Sequence, residues 1–543
     1  MNGDPTGSIR RVSDPVVKIF ENGSAVLLRP EVPDWIRTSE VGAWIFALLG
    51  ERSLTTEQIV SKAVARYGLP AEAVRPSILQ FLDVLISQGY AEVERESEAS
   101  AGSDQESESP LAAVGSPSRP RRLEELKLFQ LWIHVTSTCN LRCAHCYYPV
   151  ERPGRELPLD VARQLFDQAA RLGVRQIVLS GGEPMLHSQI LDLVRLCRHT
   201  APFHIKVISN GTMPGENVFD HLVEMIDDLQ ISIDGIDAAT HDAIRGKGAF
   251  ARVVRVFKRL YDTRARVTRG LAFTPTPDNV DQIPELNKLG YHLGADYIHL
   301  NHPKPPAHPA QHERLERAGF LKPDFLRQAI INFRRLYVNI LSDRKDARGM
   351  RYRPLYLDAS FNYATNLTRN LHRDNCGAGI TMLSFDPQGK SYPCAALTDR
   401  EGCQLGEFPE QSLEQLRAAG RVWNRSVFSV DGDPICQQCI YRYFCGGGCR
   451  ATANGLSERD PFCPVMLDCY EEFLQYVSRP DDEKLARAID KGLGRRDNHA
   501  IAEGCSETLG ILSGCRSRGI SGSFNRSLEE RYFSLDLWLA CGY

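Results

Sequence analysis

Three cysteines with the spacing CxxxCxxC, Cys139, Cys143 and Cys146, point most directly to chemistry in this chain. They lie just after a predicted strand, Leu131–Val135. Three thiolates can bind three irons of a [4Fe–4S] cluster and leave the fourth iron open to a ligand with an amine and a carboxylate. A structural zinc site usually has four ligands in two pairs, and His145, inside the tight loop, would be a fourth ligand of poor geometry. The pattern favours a cluster over the two alternatives, zinc and chance.

The other cysteines are also unevenly distributed. The chain has 543 residues and 16 cysteines, of which none precedes Cys139 and nine fall between Cys376 and Cys469. A region this rich in cysteine and glycine is expected to be held together by metal. In chain order it contains Cys376, the pattern GxxxxC from Gly389 to Cys394, the pattern C-x2-C-x5-C-x3-C at Cys436, Cys439, Cys445 and Cys449, and then Cys463. Cys197, Cys505, Cys515 and Cys541 are interpreted as ordinary thiols.

Composition and charge restrict the function classes. The formal net charge of -3 gives no indication of a nucleic-acid or membrane partner. No segment approaches the roughly 20 apolar residues that span a bilayer. The polar start of the chain lacks the apolar core of a secretory signal, so we expect a cytoplasmic protein without a disulfide framework.

Strand and helix patterns alternate over residues 125–300 and must position the first three cysteines. Six βα units predict a parallel sheet that curls into a partial (β/α)6 TIM-like barrel, which makes the fold class α/β. In such barrels the chemistry lies on the loops after the strands, where the CxxxCxxC loop is found. The predicted strands are Leu131–Val135, Gln176–Leu179, His204–Ile208, Leu229–Ile233, Arg266–Phe273 and Asp296–Leu300.

The cysteine triplet resembles that of the radical S-adenosylmethionine (SAM) superfamily. The sequence GGEP, formed by Gly181, Gly182, Glu183 and Pro184, follows the second predicted strand and matches the family motif that contacts the methionine amine of SAM. The resemblance implies that one electron from the reduced cluster cleaves SAM into methionine and a 5′-deoxyadenosyl radical. That radical then takes a hydrogen atom from the substrate.

The same resemblance suggests further SAM contacts at the ends of later strands. Ser209 and Asn210 end the third strand, where the family often places polar groups that face SAM. Ser232 and Asp234 end the fourth strand and are placed to meet the ribose. Arg245 is placed to pair with the SAM carboxylate, because a guanidinium suits bidentate pairing. The alternative for each of these residues is a solvated or capping role, and no catalytic acid or base is assigned.

The later cysteines resemble those of the SPASM domain, which holds two auxiliary iron–sulfur clusters. The resemblance implies one cluster held by Cys436, Cys439, Cys445 and Cys463. It implies a second cluster with three corners at Cys376, Cys394 and Cys449. The fourth corner stays open among Cys403, Cys469, Asp374 and the substrate, and a zinc ribbon is the alternative for the whole region.

Residues 1–95 form a separate predicted domain, with a hairpin around Asn22-Gly23 followed by three helical patterns. This winged-helix-like order resembles the PqqD-like recognition element of enzymes that modify ribosomally made peptides. The resemblance implies that a leader peptide adds as a strand to a sheet edge. The alternative is a DNA-binding winged helix, which the lack of a strongly basic helix disfavours.

These predictions divide the chain into six parts and give one function. The parts are a leader-recognition domain (1–95), a flexible linker (96–121), the radical SAM barrel (122–310), a bridging region (311–375), the SPASM domain (376–475) and a C-terminal helix and tail (476–543). The expected activity is a radical SAM/SPASM maturase that crosslinks, epimerises or oxidises residues of a precursor peptide. Its electron would come from a donor such as flavodoxin or ferredoxin.

Two other functions stay open. One is a sulfatase maturase that generates formylglycine; such enzymes usually carry Asp after the GxxxxC cysteine, whereas Ala395 follows Cys394 here. The other is a redox-sensing iron–sulfur regulator that binds peptide or DNA. The intact GGEP beside the cysteine triplet disfavours a sensor, because a sensor needs no SAM pocket.

Overall fold

The computed structural model describes residues 7–21, 23–94, 120–151, 154–212, 215–307, 309–342, 356–359, 371–453 and 455–477. Most of the predicted linker, 96–121, and nearly all of the predicted C-terminal tail, 476–543, lie outside the described residues.

The N-terminal residues form strands and then helices, as the sequence predicts. Strands β2, β3 and β4 make an antiparallel sheet in that order, and the β2–β3 pair flanks the predicted hairpin turn. Strand β1 pairs with β5, which brings the chain back after the three helices. The elements are β1 (Ser8–Arg11), β2 (Val16–Ile19), β3 (Ser24–Arg29), β4 (Asp34–Ser39), α1 (Glu40–Glu51), α2 (Thr56–Tyr67), α3 (Ala71–Ser87) and β5 (Ala91–Glu94).

The central sheet contains all six predicted parallel strands. The remaining strands are β6 (Arg121–Arg122), β7 (Gln130–Thr136), β8 (Gln176–Gly181), β9 (His204–Ser209), β10 (Asp228–Ser232), β11 (Thr268–Phe273), β12 (Tyr297–Leu300), β13 (Tyr356–Ala359), β14 (Leu371–His372), β15 (Met382–Phe385), β16 (Lys390–Tyr392) and β17 (Gly406–Glu407). Strands β7 to β12 pair in chain order and in parallel. Their carboxyl ends therefore share one edge of the sheet, where the cysteine loop follows β7.

The sheet extends beyond the six predicted strands on both sides. Strand β13 pairs with β12, and β15 pairs with β7, both in parallel. Antiparallel β16 and β17 continue from β15, which gives ten strands within the described residues. The six-strand count is therefore too small. Its cause is physical: β15 and β16 are short strands in the cysteine-rich region, with no period long enough to predict a place beside β7.

Amphipathic helices cover the sheet. They are α4 (Leu159–Arg171), α5 (Ile190–Thr200), α6 (Glu216–Met225), α7 (Ala238–Arg245), α8 (Ala249–Asp262), α9 (Leu286–Leu293), α10 (Pro309–Arg317), α11 (Pro323–Ser342), α12 (Leu413–Val427), α13 (Pro434–Gln437), α14 (Arg442–Cys445) and α15 (Cys463–Val477). In α4 the residues at helical spacing, Leu165, Phe166 and Ala169, are fully buried. Among the described residues, no helix is both long and apolar enough to cross a bilayer.

The N-terminal domain has its own apolar core and also packs on the C-terminal region. Val26, Leu28 and Trp35, from β3 and β4, are buried in the same core cluster as the central sheet and α15. At the rim of this contact the Arg442 guanidinium donates to both carboxylate oxygens of Glu31, at 2.7 and 2.8 Å. The β3–β4 surface is thus a docked interface rather than a solvent-facing sheet.

Candidate active site

A single cavity of about 550 Å³ collects residues from the carboxyl edge of the sheet and from the cysteine-rich region. It is lined by Cys139, Cys143 and Cys146 on one side and by Cys376, Cys394 and Cys449 on the other. These two groups are more than two hundred residues apart in sequence. The sheet brings them together because β15, which lies between Cys376 and Cys394 in the chain, pairs directly with β7.

The loop after β7 is held by backbone contacts on both sides. The Ala144 N–H donates to the Ile244 carbonyl at the end of α7, at 3.0 Å, and the Ala307 N–H donates to the Cys146 carbonyl at 2.9 Å. N–H groups also point at sulfur: Leu141 N lies 3.4 Å and Asn210 Nδ2 3.6 Å from Cys139 Sγ. Donors aimed at sulfur stabilise a thiolate.

The three thiols of this loop are buried, and burial raises the pKa of each, that of Cys143 to about 12. Iron binds the thiolate, so it must displace these protons, and cluster assembly releases them. Among the described residues no three Cys, His, Asp or Glu side chains are arranged for a single metal ion. The cluster assignment therefore depends on the cavity, the donors and the spacing, and it stays a prediction.

Gly181 and Gly182 let strand β8 approach the cysteine loop closely. A Cβ on Gly182 would lie 2.1 Å from the Thr138 carbonyl oxygen and 3.0 Å from Cys139 N. A Cβ on Gly181, whose φ is +128°, would lie 2.3 Å from the Thr136 carbonyl oxygen. Both glycines line the cavity. A Cβ at either position would clash with backbone atoms of Thr136 or Thr138. The two glycines therefore permit the short distance between the GGEP turn and the cysteine loop.

Glu183 lies behind the cavity wall and joins two strand ends. Its carboxylate accepts from Ser209 Oγ at 2.8 Å, from Asn210 N at 2.7 Å and from Met185 N at 3.1 Å. Burial raises its pKa to about 7, although these three donors oppose the shift. Ser209 and Asn210 line the cavity, whereas Glu183 and Pro184 do not. The carboxylate thus orients residues that face the cavity.

A buried ion-pair network ties the cysteine loop to β10 and α7. The Asp234 carboxylate accepts from His145 Nε2 at 2.6 Å, from Thr274 N at 2.8 Å and from the Arg245 guanidinium. Arg245 Nη1 also lies 3.8 Å from Cys143 Sγ. Burial by itself raises the pKa of Asp234, but Arg245 and His145 outweigh it and hold that pKa well below its usual range. The network was not predicted, because its members are far apart in sequence.

This network changes the interpretation of two predicted SAM contacts. Asp234 is fully buried and does not line the cavity, whereas Ser232 and Arg245 do. The Arg245 guanidinium already has an anionic partner inside the protein. The predicted contacts of Asp234 with a ribose and of Arg245 with the SAM carboxylate stay predictions.

Asp234→Asn is expected to lower the free energy of unfolding by about 3–5 kcal/mol, because it leaves the Arg245 charge buried without a counterion. The measurement is the shift of the urea unfolding curve at neutral pH. Asp237→Asn is the matched control: Asp237 caps α7 through the Thr240 N–H at 2.8 Å, and asparagine caps equally well. A loss no larger than in the control would contradict the prediction.

The pH dependence of this pair follows from the lowered pKa of Asp234. The contribution of Asp234 to the free energy of unfolding is fully present above pH 3.8, the ordinary pKa of Asp. It is lost only as pH falls through the lower pKa of Asp234 in the folded protein. The stability difference between the protein and Asp234→Asn should therefore stay constant from neutral to mildly acidic pH. A difference that vanishes near pH 5 would show that the carboxylate is not held ionised.

The later cysteines form two neighbouring groups. Burial raises the pKa of Cys394 to about 12, and the nearby Cys449 and Cys376 raise it further. Burial likewise raises the pKa of Cys445 to about 12, with Cys463 and Cys439 adding to the shift. Like-charge effects of this kind require short distances between the thiols. The grouping is the one that the sequence resemblance implies.

Three consecutive glycines separate the two groups. Gly446, Gly447 and Gly448 have φ values of 65°, 74° and 82°, so Cys445 and Cys449 are joined by a left-handed turn that L side chains rarely adopt. Cys445 lines the cavity together with Cys449, whereas Cys436, Cys439 and Cys463 do not. All three cysteines of one group therefore face the cavity, whereas the other group reaches it only through Cys445.

The structure does not single out one residue as the fourth ligand of the cluster that Cys376, Cys394 and Cys449 would hold. Cys403 is fully buried in the same apolar cluster as Cys376 and Cys394 but does not line the cavity. Asp374 pairs with His372 Nδ1 at 3.1 Å, and Cys469 is buried in the main core on α15. The alternatives named from the sequence stay open.

Two regions of the chain match models of known protein families. Residues 133–289 match the family model described as the radical SAM superfamily, and residues 24–91 match that described as coenzyme PQQ synthesis protein D (PqqD). The first region contains the CxxxCxxC loop and GGEP, and the second contains the β3–β4 sheet and all three N-terminal helices. The chain has a radical SAM domain and a PqqD domain, and the former implies SAM and a [4Fe–4S] cluster.

Individual proteins are similar over most of their own length. A pre-heme d1 synthase of Dinoroseobacter shibae is 29% identical over 61% of this chain and 85% of its own. A PqqA peptide cyclase of Xanthomonas euvesicatoria pv. vesicatoria is 26% identical over 61% of this chain and 86% of its own. The crystal structure of Streptococcus suis SuiB bound to S-adenosylmethionine has a TM-score of 0.47 and 15% identity, and covers 84% of this chain and 99% of its own.

Proposed function

We propose that this radical SAM protein is a maturase that modifies residues of a ribosomally made precursor peptide and carries two auxiliary iron–sulfur clusters in residues 376–475. The observation that carries the proposal is the cavity shared by the CxxxCxxC cysteines and by Cys376, Cys394 and Cys449. A cavity of about 550 Å³ is large enough for SAM and a side chain of a peptide. The PqqD domain in the same chain favours a peptide substrate.

The residues of the barrel side hold and orient SAM in this proposal. Cys139, Cys143 and Cys146 bind the cluster, and the close approach of Gly182 leaves its backbone open toward it. Ser209, Asn210 and Ser232 supply polar contacts from the strand ends. When bound, SAM and its cluster supply a 5′-deoxyadenosyl radical that abstracts hydrogen. The protein's own contribution is to position the target carbon and to exclude water.

The cysteine-rich region would hold the auxiliary clusters. Cys376, Cys394 and Cys449 bind the one that faces the cavity, and Cys436, Cys439, Cys445 and Cys463 bind the other. The mutual effects of these thiols on their pKa values support the grouping. The group that faces the cavity would accept an electron from the substrate, and the other group, joined to it through the three-glycine turn, would pass that electron on. An external donor such as flavodoxin or ferredoxin supplies the first electron.

The PqqD domain would bind the leader. In the described sheet β4 is an edge strand, and Phe81 of α3 lies close to its end, 3.3 Å from a Cβ placed on Gly42. A leader segment added along β4 would pack against this half-buried ring. The docking of Val26, Leu28 and Trp35 on the main core then sets the distance from leader to cavity.

The similarity to a pre-heme d1 synthase raises a second candidate, a radical SAM enzyme that acts on a small-molecule precursor rather than a peptide. The domain at residues 24–91 decides between the two in this proposal, because a small-molecule substrate gives no role to a PqqD domain.

The test uses the full chain, anaerobically reconstituted with iron and sulfide and supplied with SAM and dithionite. The probe is a precursor peptide sought among the short open reading frames beside the gene, and its mass is followed by mass spectrometry. We expect SAM cleavage and a SAM-dependent change in the peptide, such as the loss of two hydrogens for a crosslink. Epimerisation leaves the mass unchanged and is read by deuterium uptake at the epimerised carbon. SAM cleavage with an unchanged, undeuterated peptide would contradict the proposal.

A variant tests the leader domain without removing it, because deleting residues 1–95 would remove Val26, Leu28 and Trp35 and expose the part of the main core that they cover. Phe81→Ala is expected to weaken modification of the full peptide while SAM cleavage without peptide persists. Val84→Ala, on the same helix and 37% exposed, is the control. Equal modification by both variants would contradict leader binding at this edge.

A further inference from the structure

The charged residues that line the cavity are all cationic. Arg142, Lys206, Arg245, Lys304 and Arg373 line it, and no aspartate or glutamate among the described residues does. A cavity with one sign of charge and low-dielectric walls concentrates ligands of the opposite sign. The anionic groups that meet these cations therefore come from behind the wall, from the cysteine thiolates that would hold a cluster, or from what binds in the cavity.

Three of the five cations are either paired with a carboxylate or exposed to solvent. Lys206 Nζ lies 3.4 Å from Asp228 Oδ2, and Arg245 pairs with Asp234. Arg142 is exposed at the cavity rim, where water solvates it. Arg373 and Lys304 are different, because neither has a carboxylate partner among the described residues.

Arg373 is the more constrained of the two. It directly follows β14, is 8% exposed, and its guanidinium makes no hydrogen bond or ion pair within the described part of the chain. Leaving five N–H donors and a charge unpaired in a buried position is costly. Burial accordingly lowers the pKa of Arg373.

Lys304 completes a pair of cations on the same side of the cavity. Its ammonium donates to the His302 carbonyl at 3.0 Å and lies near enough to Cys394 to lower the pKa of that thiol. Arg373 in turn is close to Cys376 and Cys445, whose thiols act on its pKa. Both cations thus lie beside cysteines of the C-terminal region that line the cavity.

Neutralising the charge of a cluster would be a simpler role for Arg373, but another arginine already meets that need. Arg450 lowers the pKa of Cys376, and its guanidinium is satisfied by the carbonyls of Gly447, Leu456 and Glu458. It also stacks on Phe428, with Cζ 4.0 Å from the ring centroid. Arg450 donates from both Nη atoms to backbone carbonyls and leaves only Nε without a partner, whereas no guanidinium donor of Arg373 has a partner within the described residues.

We propose that Arg373 and Lys304 form a carboxylate-binding subsite that holds an acidic group of the substrate peptide beside Cys376 and Cys394. The planar guanidinium offers a bidentate bond to a carboxylate, and the ammonium offers a second charge. The peptide nature of the substrate rests on the proposed function. The subsite adds a preference for peptides that carry an acidic group near the modified residue. The residue to be modified lies next to an Asp or Glu side chain, or next to the carboxyl end of the peptide.

The test measures binding rather than turnover, on the reconstituted full chain with SAM. The probes are acetyl-Ala-Glu-Ala-amide, acetyl-Ala-Gln-Ala-amide and acetyl-Ala-Ala-Ala with a free carboxyl end, titrated by calorimetry. We expect the Glu probe to bind about tenfold more tightly than the Gln probe, a difference of about 1.4 kcal/mol. Tight binding of the free-carboxyl probe alone would assign the subsite to a peptide end instead of a side chain.

Variants identify the groups responsible. Arg373→Gln should abolish the difference between the Glu and Gln probes, and Arg373→Lys should retain part of it. Lys258→Gln removes an exposed cation that does not line the cavity and should leave the difference unchanged. Iron content and the electron paramagnetic resonance of the reduced clusters are measured for each variant. Unchanged spectra with lost discrimination would support the subsite.

Other outcomes overturn the subsite. These are equal binding of the Glu and Gln probes with no preference for the free-carboxyl probe, no saturable binding of any probe, or an Arg373→Gln variant that keeps the discrimination. In the last case, altered cluster spectra would assign Arg373 as a counter-charge to a cluster. Failure of the proposed function is separate, because the precursor peptide would then stay unmodified while the carboxylate probes could still be distinguished by binding.

Discussion

Cys143→Ala is expected to reduce SAM cleavage to the background of the reductant alone. Cys143 is one of three thiols in the loop after β7, and its Sγ lies 3.8 Å from Arg245 Nη1. The loop has no fourth cysteine that could take its place as a ligand. A cluster that loses one of three protein ligands is held by two and is not retained at the site. The measurement is 5′-deoxyadenosine formed from SAM under dithionite, together with iron bound per chain.

Cys197→Ala is the matched control for this substitution. Cys197 is fully buried in the core on α5, where burial raises its thiol pKa, and it does not line the cavity. Its loss should cost about 1 kcal/mol of stability, since only one sulfur leaves the core. SAM cleavage should persist in this variant. Equal cleavage by both variants would exclude Cys143 as a ligand.

Gly182→Ala is expected to lower SAM cleavage by about a hundredfold or more, because a displacement of about 1 Å in an active site can cost that much. The new Cβ would lie 2.1 Å from the Thr138 carbonyl oxygen and 2.5 Å from its carbon. Both are backbone atoms, so the strain is relieved only by moving the cysteine loop or the GGEP turn. The readouts are 5′-deoxyadenosine formation and the spectrum of the cluster with and without SAM.

Gly432→Ala is the control for this second prediction. A Cβ on Gly432 would have the Ser429 carbonyl oxygen at 3.5 Å as its nearest neighbour, which is ordinary van der Waals contact. Its φ is not positive, so alanine is accommodated without strain. We expect this variant to retain full activity. If Gly182→Ala retained it as well, the GGEP turn would not determine the position of the cluster.

The PqqD domain packs on the C-terminal region through apolar core residues and through charged groups at the rim. Arg442, which binds Glu31 of the N-terminal domain, lies between Cys439 and Cys445. Lys18 contacts Glu471 and lies 5.5 Å from the Tyr441 ring centroid. The contact surface of the leader domain is therefore the segment that carries the cysteines farther from the cavity.

The sequence by itself determined the features that depend on neighbouring residues. CxxxCxxC places three thiols on one loop whatever the rest of the chain does, and continuous apolar runs such as Leu131–Val135 predict buried parallel strands. All six of those strands are confirmed. The assignment of the later cysteines to two clusters stays a prediction.

The tertiary structure alone decided which distant residues meet. Asp234, Arg245 and His145 form one network, and Arg373 faces the same cavity as Cys139, although no local pattern relates these positions. The pairing of β15 with β7 is the physical reason for the shared cavity, because it brings the cysteine-rich region to the edge where the parallel strands end. Such contacts arise from packing and from the pairing of charges in a buried space, and neither leaves a periodic trace in the sequence.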